Sequence, residues 1–239
     1  MEIQNSPFML NAILMDIDGT MTSTDGHKNG MEKTSLAHLE DILMAKNKIP
    51  REEANRRILA CGDIAIHCLS EFLEPLNVLP EEYFNALRDN LKRHTTIPED
   101  VVVFLRAMKE CGIPVYTATT NSRFMTLVKL SIGGLADIHG CDYLAGYYAG
   151  CTFLDPKGKF SPSFYPNILR SSRFDPEYVM MIGDEPDRDM LPAMKAGIKY
   201  GVNIDRRQKE SIIFRDGGIS VNSLEVLIEM IMEGKQCYA

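Results

Sequence analysis

Residues 13–20 read ILMDIDGT, and this stretch decides the fold. Its three apolar residues predict a buried strand that ends at Asp16. Positions i and i+2 of a strand share one face, so Asp16 and Asp18 should project into the same space near the strand's carboxyl end. Two carboxylates held that close repel each other unless a cation or a shared proton compensates. The stretch therefore favours chemistry, although an acidic strand followed by an Asp-Gly turn is also an ordinary structural element.

Length and composition set the class of protein. The chain has 239 residues, of which 45% are hydrophobic and 25% charged, and these values are typical of globular proteins. It can form one large domain, or a core domain with a smaller insert. The net charge of -7 argues against general affinity for nucleic acid or for membrane surfaces. Neither a membrane-length apolar run nor a basic leader is apparent, so we expect a cytoplasmic protein.

The six cysteines are scattered along the chain without paired spacing. This distribution predicts free thiols in a reducing compartment. They are Cys61, Cys68, Cys111, Cys141, Cys151 and Cys237.

Strand and helix signals alternate along most of the chain. Short apolar runs without strict alternation predict strands at 13–15, 115–119, 178–182 and 199–203. Such runs suit a parallel sheet that is buried on both faces. Helices are predicted at 99–110, 122–130, 162–170, 189–195 and 223–232. This alternation predicts an α/β fold, a doubly wound parallel sheet with right-handed crossovers.

The segment from 24 to 95 breaks the alternation. Its apolar residues recur at helical spacing in three runs separated by prolines, which predicts three or four helices. The runs are Leu36, Leu39 and Leu43; Ala54, Ile58, Cys61, Ala65 and Leu69; and Phe84, Leu87 and Leu91. We therefore expect an α/β core at 1–23 and 96–239 and a helical cap at 24–95, joined by hinges at 22–27 and 95–98. An insert there lies over the sheet edge where open α/β folds bind ligands.

Hydroxyl and amino groups lie next to two other predicted elements, after a strand in one case and before a helix in the other. Thr119 and Thr120 come at the end of the second strand, directly before a helix. Their hydroxyls can cap that helix or donate to a phosphate bound at its N-terminus. Lys157 and Lys159 precede another helix, in a loop where a lysine is usually solvated.

A second acidic cluster follows the strand predicted at 178–182. It contains Asp184, Asp187 and Asp189. Carboxyl ends of parallel strands meet at one sheet edge, so these carboxylates should converge with Asp16 and Asp18. Several carboxylates at one edge need a cation, and an all-oxygen ligand set favours Mg²⁺ over zinc.

The ordered motifs resemble those of the haloacid dehalogenase superfamily. These motifs are strand-Asp-x-Asp-Gly-Thr, strand-Thr, Lys before a helix, and strand-Gly-Asp with a further Asp. The first and last are specific, and the Thr and Lys motifs gain weight from their order. The resemblance covers nearly the whole chain and points to the phosphatase-like branch. It implies a Rossmann-like sheet of the haloacid dehalogenase type with an inserted all-helical cap of the C1 type.

The resemblance implies a role for each acidic residue. Asp16 matches the nucleophile that forms an aspartyl-phosphate, and it is also a metal ligand. Asp18 matches the general acid and base, and its backbone carbonyl matches a metal ligand. Asp184 matches a direct Mg²⁺ ligand. Asp189 matches the second acidic position of the metal site, with Asp187 as the alternative.

The resemblance also implies a phosphate-binding set. Thr119 matches the hydroxyl that binds phosphoryl oxygens, with Thr120 as the alternative register. Lys159 matches the lysine that neutralises the phosphoryl group and Asp16. It fits better than Lys157 because the run Lys-Phe-Ser-Pro at 159–162 resembles the family's Lys-Pro-x-Pro, although Phe160 departs from that pattern.

Together these features predict a phosphoric monoester hydrolase that uses Mg²⁺. Its expected partner is a small phosphorylated metabolite of the sugar phosphate, phosphoglycolate or nucleotide monophosphate type. We expect the protein to be a monomer or a homodimer. We expect no nucleic-acid or membrane partner. Asp18 and the acidic cluster argue against a dehalogenase, which needs neither. A sugar-phosphate mutase or a phosphonatase of the same superfamily remains an alternative, and so does a receiver-like signalling module or an inactive binding module.

Substrate specificity should come from the cap. Its basic residues are candidates, although most such residues form solvated helix faces. They are Arg51, Arg56, Arg57, Arg88, Lys92, Arg93 and His94.

Overall fold

A seven-stranded sheet forms the centre of the computed structural model, which describes residues 9–26 and 30–236. His27 of the predicted first hinge and Cys237 lie outside the described residues. The strands are β1 Ala12–Met15, β2 Ser23–Thr24, β3 Thr95–Thr96, β4 Val115–Ala118, β5 Gly146–Tyr148, β6 Val179–Gly183, β7 Tyr200–Ile204, β8 Ile212–Arg215 and β9 Gly218–Val221. The order in the large sheet is β5-β4-β1-β6-β7-β9-β8, and β2 pairs with β3 in a separate ribbon.

Eight α-helices accompany the strands in the described part of the chain. They are α1 Ser35–Asn47, α2 Arg51–Leu59, α3 Pro80–Leu91, α4 Glu99–Glu110, α5 Arg123–Ser131, α6 Phe164–Ser172, α7 Met190–Lys195 and α8 Leu224–Gln236. Among these residues, no helix has both the length and the apolar character that crossing a membrane requires.

The predicted α/β fold is confirmed, and β1 lies at its centre. β1 pairs in parallel with β4 on one side and β6 on the other, and all four of its residues are buried. This position explains why the first strand is a continuous apolar run. The helices predicted at 99–110 and 122–130 correspond to α4 and α5 within one residue at each end.

Two parts of the sequence prediction were wrong in detail. The last strands, β8 and β9, form an antiparallel hairpin, so the sheet is mostly rather than wholly parallel. Asp216 and Gly217 connect them with positive φ angles at both positions, as a two-residue hairpin turn requires. The periodic apolar run from Ala54 to Leu69 also predicts a longer helix than the structure contains, because α2 ends at Leu59. A turn follows in which the Asp63 side chain accepts a hydrogen bond from the backbone of Ala65 at 2.9 Å.

The helices α1 to α3 are inserted between the two strands of a short ribbon. β2 and β3 pair antiparallel, with Ser23 opposite Thr96 and Thr24 opposite Thr95. The chain therefore enters and leaves this helical segment through one hydrogen-bonded connection. The cap boundaries at 24 and 95 remain a prediction, and all three helices fall inside them.

The helical segment packs on the core through aromatic side chains. Phe124 of α5 stacks against Tyr83 of α3 at 5.6 Å between ring centroids and meets Phe84 edge-on at 5.7 Å. Tyr83 and Phe84 are both buried. Aromatic pairs with such geometries contribute about 1 kcal/mol beyond the burial of their surface, so α3 is a main contact between cap and core.

A disulfide bond also joins the helical segment to the core. It links Cys68, just before a one-turn helix at Leu69–Phe72, with Cys151 in the loop that follows β5. The expectation that all cysteines are free was therefore wrong for these two residues. Their separation of 83 residues leaves no spacing signal, because the pairing depends on how the cap folds over the sheet. Cys61 and Cys141 form no disulfide bond within the described part of the chain.

We expect one cross-linked peptide containing Cys68 and Cys151 when unreduced protein is alkylated, digested and analysed by mass spectrometry. Closing a loop of this length restricts the unfolded chain and should contribute about 4 kcal/mol to stability. The Cys151→Ser variant should therefore melt at a lower temperature, whereas Cys61→Ser should melt like the wild type. Alkylation of both Cys68 and Cys151 without reductant would contradict the bond.

Candidate active site

Three carboxylates meet at the edge of the sheet where β1 and β6 end. Asp16 follows β1 directly, and its backbone N–H continues the ladder by donating to Ile182 at 2.9 Å. Asp184 directly follows β6, and Asp189 is the residue just before α7. One oxygen from each of Asp16, Asp184 and Asp189 falls within 4.8 Å of the others. Asp187 is exposed, so the structure brings Asp189 rather than Asp187 into this group.

Glycines allow the carboxylates to lie against the backbone. A Cβ atom on Gly19 would be 2.0 Å from Oδ2 of Asp184, and one on Gly183 would be 2.1 Å from Oδ2 of Asp189. Gly19 also has a φ of +77°, a conformation that glycine adopts without steric cost. The glycines in the Asp-Gly-Thr and Gly-Asp motifs are therefore needed for the shape of the site.

Lys159 supplies a buried positive charge to this group. Its Nζ lies 2.7 Å from Oδ1 of Asp16 and also forms an ion pair with Asp189. A short helical turn at Gly158–Phe160 directs the side chain inward, so that only 4% of it is exposed. Burial alone would lower the pKa of Lys159, but the charges of Asp16 and Asp189 outweigh burial and raise it. Lys157 is exposed, so the structure places Lys159 and not Lys157 beside Asp16.

Burial and mutual repulsion make the carboxylates hold protons more tightly than usual. Burial, reinforced by the charge of Asp16, raises the pKa of Asp184 to about 6. Burial raises the pKa of Asp189 to about 7, although Lys159 opposes the change. The pKa of Asp16 is raised by burial, against the pull of Lys159. Without a further cation, the group is thus incompletely ionised near neutral pH.

Asp18 lies beside this group but has different partners. The Nζ of Lys129 contacts its Oδ1, and Nδ2 of Asn121 donates to its Oδ2 at 2.8 Å. The sequence pattern does not predict either contact. A signal existed for the lysine, since Lys129 interrupts an apolar stretch at 127–130 of a predicted helix.

The two candidate threonines occupy different positions. Thr119 is fully buried, and its Oγ1 accepts hydrogen bonds from the backbone N–H and the side chain of Asn121 at 3.2 and 2.9 Å. Thr120 is exposed and lines the cavity that contains Asp16. The structure therefore places Thr119 at the strand end behind the cavity wall and Thr120 on the wall itself.

Three adjoining cavities surround these side chains. The first, of about 290 Å³, contains Asp16, Asp18, Lys159, Asp184 and Asp189. The second, of about 600 Å³, extends from Asp18 and Lys129 to residues 31–36 of the helical segment. The third, of about 390 Å³, extends from Lys159 to residues 64–70. Thr120 lines all three, so it marks the point where they meet.

Arg206 holds the loop that carries Asp18 and Gly19. Its guanidinium donates to the carbonyls of Gly19 at 3.0 Å and Thr20 at 2.9 Å. It also forms a two-point ion pair with Asp100 at the start of α4, at 3.1 and 3.0 Å. Arg206 follows β7, far from the loop in sequence, and no sequence pattern predicts its contact with the loop.

The basic cap residues proposed to read the substrate do not line these cavities. Six of the seven form ion pairs with nearby acidic groups, the exception being Arg88. The pairs are Arg51 with Glu40 and Asp41, Arg56 and Arg57 with Glu53, Lys92 with Asp89, Arg93 with Glu32, and His94 with Asp25 and Glu32. The cap residues that do line the cavities are mostly uncharged side chains at 31–36 and 64–70.

The residues present fit a divalent cation. Four carboxylates and two ammonium groups form the inner site, namely Asp16, Asp18, Asp184, Asp189, Lys129 and Lys159, and their net charge is -2 when all are ionised. One divalent cation would balance that charge. Carboxylate oxygens are the ligands that Mg²⁺ prefers, and the raised pKa values of Asp184 and Asp189 show that added positive charge would favour their ionised forms.

The chain shares its fold with known haloacid dehalogenase-type proteins. A phosphatase of this type from Thermococcus onnurineus is 19% identical, with a TM-score of 0.55, and the alignment covers 93% of this chain and 98% of that one. A 2-haloacid dehalogenase from Pseudomonas syringae pv. Tomato DC3000 is 18% identical, with a TM-score of 0.56 and coverage of 94% and 99%. At these identities the likeness establishes the fold and does not separate the two activities.

Sequence comparison gives the family. No curated protein sequence matches the chain. The family model of haloacid dehalogenase-like hydrolases matches residues 10–197, which include every candidate site residue from Asp16 to Asp189. The chain therefore belongs to the haloacid dehalogenase-like hydrolases.

Proposed function

We propose that this protein is a phosphatase that requires Mg²⁺ and hydrolyses a small phosphorylated metabolite through an aspartyl-phosphate on Asp16. One observation carries the proposal. Asp16 and Asp18 are neighbours on the same cavity, and each contacts its own lysine, Lys159 or Lys129. Two carboxylates with separate partners can perform different tasks in one reaction, as nucleophile and as proton donor.

In the first step, Asp16 attacks the phosphorus atom. An oxygen of Asp16 forms the new bond to phosphorus while the bond to the ester oxygen breaks. Lys159 supports this step because its ammonium group lies 2.7 Å from Asp16 and offsets the repulsion between the carboxylate and the phosphate. The hydroxyl of Thr119 or Thr120 and the N-terminus of α5 are the candidate donors to the phosphoryl oxygens.

Asp18 handles the proton in both steps. It gives a proton to the leaving alkoxide as the ester bond breaks, and the resulting carboxylate then takes a proton from the water that attacks the aspartyl-phosphate. Asp18 lines both the cavity that holds Asp16 and the larger cavity toward residues 31–36. We therefore assign the larger cavity to the alcohol part of the substrate.

Asp16 and Asp184 would hold the magnesium ion, together with the backbone carbonyl of Asp18. When bound, the ion supplies positive charge to the transferring phosphoryl group. Asp189 accepts a hydrogen bond from the backbone of Glu185 at 3.1 Å and pairs with Lys159. It therefore orients Lys159 and adds negative charge next to the metal ligands.

The size of the site favours a small substrate. The cavities around Asp16, Asp18 and Thr120 have volumes of about 290 to 600 Å³, and the two larger ones are lined in part by the helical segment. Ligand sites for small molecules fall in this range. A sugar phosphate, a phosphoglycolate-like acid or a nucleotide monophosphate is therefore a more suitable substrate than a phosphoprotein.

A screen of phosphorylated metabolites with Mg²⁺ or EDTA tests the proposal, with release of inorganic phosphate as the readout. We expect activity with Mg²⁺, none with EDTA and poor activity with Ca²⁺, whose looser coordination misplaces the nucleophile. Asp16→Asn should lose at least about three orders of magnitude in kcat, because it removes the covalent step. Asp187→Asn, an exposed carboxylate near the site, is the matched control and should retain activity.

Three results would argue against the proposal. Full activity in EDTA would exclude the metal and favour a dehalogenase-like mechanism. Retained activity in Asp16→Asn would remove that residue from its role. Isomerisation of a sugar phosphate without net phosphate release would identify a mutase.

The raised pKa values also predict how Mg²⁺ stabilises the protein. In the unfolded chain Asp184 and Asp189 have pKa values near 3.8, compared with about 6 and about 7 in the fold. Between about pH 3.8 and about pH 7, the metal-free folded protein binds more protons than the unfolded one. Its stability should therefore fall as the pH rises through this range. Mg²⁺ competes with those protons. It should therefore raise the melting temperature more at about pH 8 than at about pH 5.5.

Thermal denaturation at the two pH values, with and without Mg²⁺, measures this difference. Asp184→Asn should abolish most of the stabilisation by Mg²⁺, and Asp187→Asn should preserve it. An equal effect of Mg²⁺ at both pH values would show that the ion does not bind at Asp184 beside Asp189.

A substitution in the cap should change which substrates are preferred. Ser35 lines both larger cavities, so Ser35→Leu should reduce the space for the alcohol part and raise KM more for bulky esters than for small ones. Thr120→Ala should instead lower kcat for all esters alike. Arg56→Gln, which changes a cap residue away from the cavities, is the control. Steady-state kinetics on a series of esters would show the difference, and an unchanged ranking in Ser35→Leu would separate the cap from specificity.

A further inference from the structure

A buried lysine lies beside the candidate general acid. Lys129 is 3% exposed in its side chain, whereas the Asp18 side chain that it contacts is 39% exposed. Lys129 therefore borders the second cavity with very little exposed surface, whereas the Asp18 carboxylate is open to it. Lys129 is too enclosed to be a main substrate contact, so its position calls for another role.

Helix geometry explains how Lys129 reaches the site. The helix α5 begins at Arg123 near the sheet edge, with Ser122 as its N-cap. Lys129 lies six residues further on, which corresponds to about 9 Å along the axis. Side chains of a helix lean toward its N-terminus. The long stem of a lysine can thus return the ammonium group to the edge where β1 and β4 end.

Lys129, Asn121 and Asp18 form a closed ring of polar contacts. Lys129 contacts Oδ1 of Asp18 and donates to Oδ1 of Asn121 at 3.0 Å. Nδ2 of Asn121 completes the ring by donating to Oδ2 of Asp18 at 2.8 Å. The same Nδ2 group donates to Oγ1 of Thr119 at 2.9 Å. Both oxygens of the carboxylate and both ends of the amide are therefore engaged, which fixes the plane of the Asp18 carboxylate.

We propose that Lys129 is a positioning residue that, with Asn121, holds the Asp18 carboxylate toward the leaving-group oxygen and away from Asp16. This inference rests on the proposed phosphatase function. The second cavity supports it, because Asp18 and Lys129 both border the space assigned to the alcohol. Lys159 has the corresponding contact with Asp16, so the two carboxylates cannot exchange partners without breaking two buried ion pairs.

The leaving group provides the decisive test. An alkyl phosphate releases a basic alkoxide that needs a proton from Asp18, whereas 4-nitrophenyl phosphate releases a stable phenolate that does not. Asp18 also serves the water step that all substrates share, so the comparison is made in kcat/KM, which reports only the steps up to departure of the leaving group. Lys129→Met should lower kcat/KM about a hundredfold on an alkyl phosphate, the usual contribution of a general acid. On 4-nitrophenyl phosphate the loss of kcat/KM should stay within about threefold.

Three further variants complete the experiment. Asp18→Asn should show the same selectivity for the leaving group, and the double variant with Lys129→Met should lose little more than Asp18→Asn alone. Lys46→Met, a lysine of the cap outside the three cavities, is the matched control and should behave as the wild type. If Lys129→Met fails to fold, Lys129→Gln keeps part of the stem and a hydrogen-bond donor, and should show the same selectivity.

The outcomes separate the inference from the function on which it rests. Equal losses of kcat/KM on both substrates, or no loss on either, would overturn the positioning role while leaving the phosphatase in place. Additive losses in the double variant would overturn it too. A wild-type protein that hydrolyses no phosphoester with Mg²⁺ would instead reject the proposed function, and the role of Lys129 with it.

Discussion

The main physical constraint on the structure is the repulsion between the carboxylates that are brought together at the ends of β1 and β6. Asp16, Asp184 and Asp189 converge because their strands are parallel neighbours, and glycines let the backbone approach them. Repulsion is then limited by buried ammonium groups, each placed by a different element, namely Lys159 by the loop after β5 and Lys129 by α5. Burial together with the remaining negative charge raises the pKa values of Asp184 and Asp189, and the three carboxylates are close enough that they could hold a cation.

The sequence was most informative where one element determines the position of a side chain. Asp16 and Asp184 could be placed because each follows a short apolar strand, and parallel strands end at a common edge. The helices could be located from their apolar periodicity and from proline and glycine at their ends. The β8–β9 hairpin was missed although Asp216-Gly217 is a strong turn signal. The misplaced end of α2 shows that periodicity alone does not mark where a helix stops.

The contacts that the sequence could not predict join elements far apart in the chain. Arg206 meets Gly19 and Thr20 only because β7 lies beside β6, and Cys68 meets Cys151 only because the helical segment folds over the loop after β5. The seven basic cap residues failed as cavity candidates for the same reason. Charge identified them, but their positions on the cap direct six of them to neighbouring acidic groups. Orientation within a packed segment is a property of the whole fold.

The ribbon of β2 and β3 has a mechanical consequence for the site. Its strands are hydrogen-bonded to each other, so the entry and exit of the helical segment cannot slide independently. The same chain reaches Asp18 within a few residues, because Thr22 bonds to the carbonyl of Ile17 through both its backbone and its hydroxyl, at 2.8 and 3.1 Å. The helical segment is therefore attached to the core at the ribbon, at the Cys68–Cys151 bond and where α3 packs on α5. Of these three connections, the ribbon lies nearest to Asp18 in the sequence, so the position of this loop is set by the same strands that hold the helical segment.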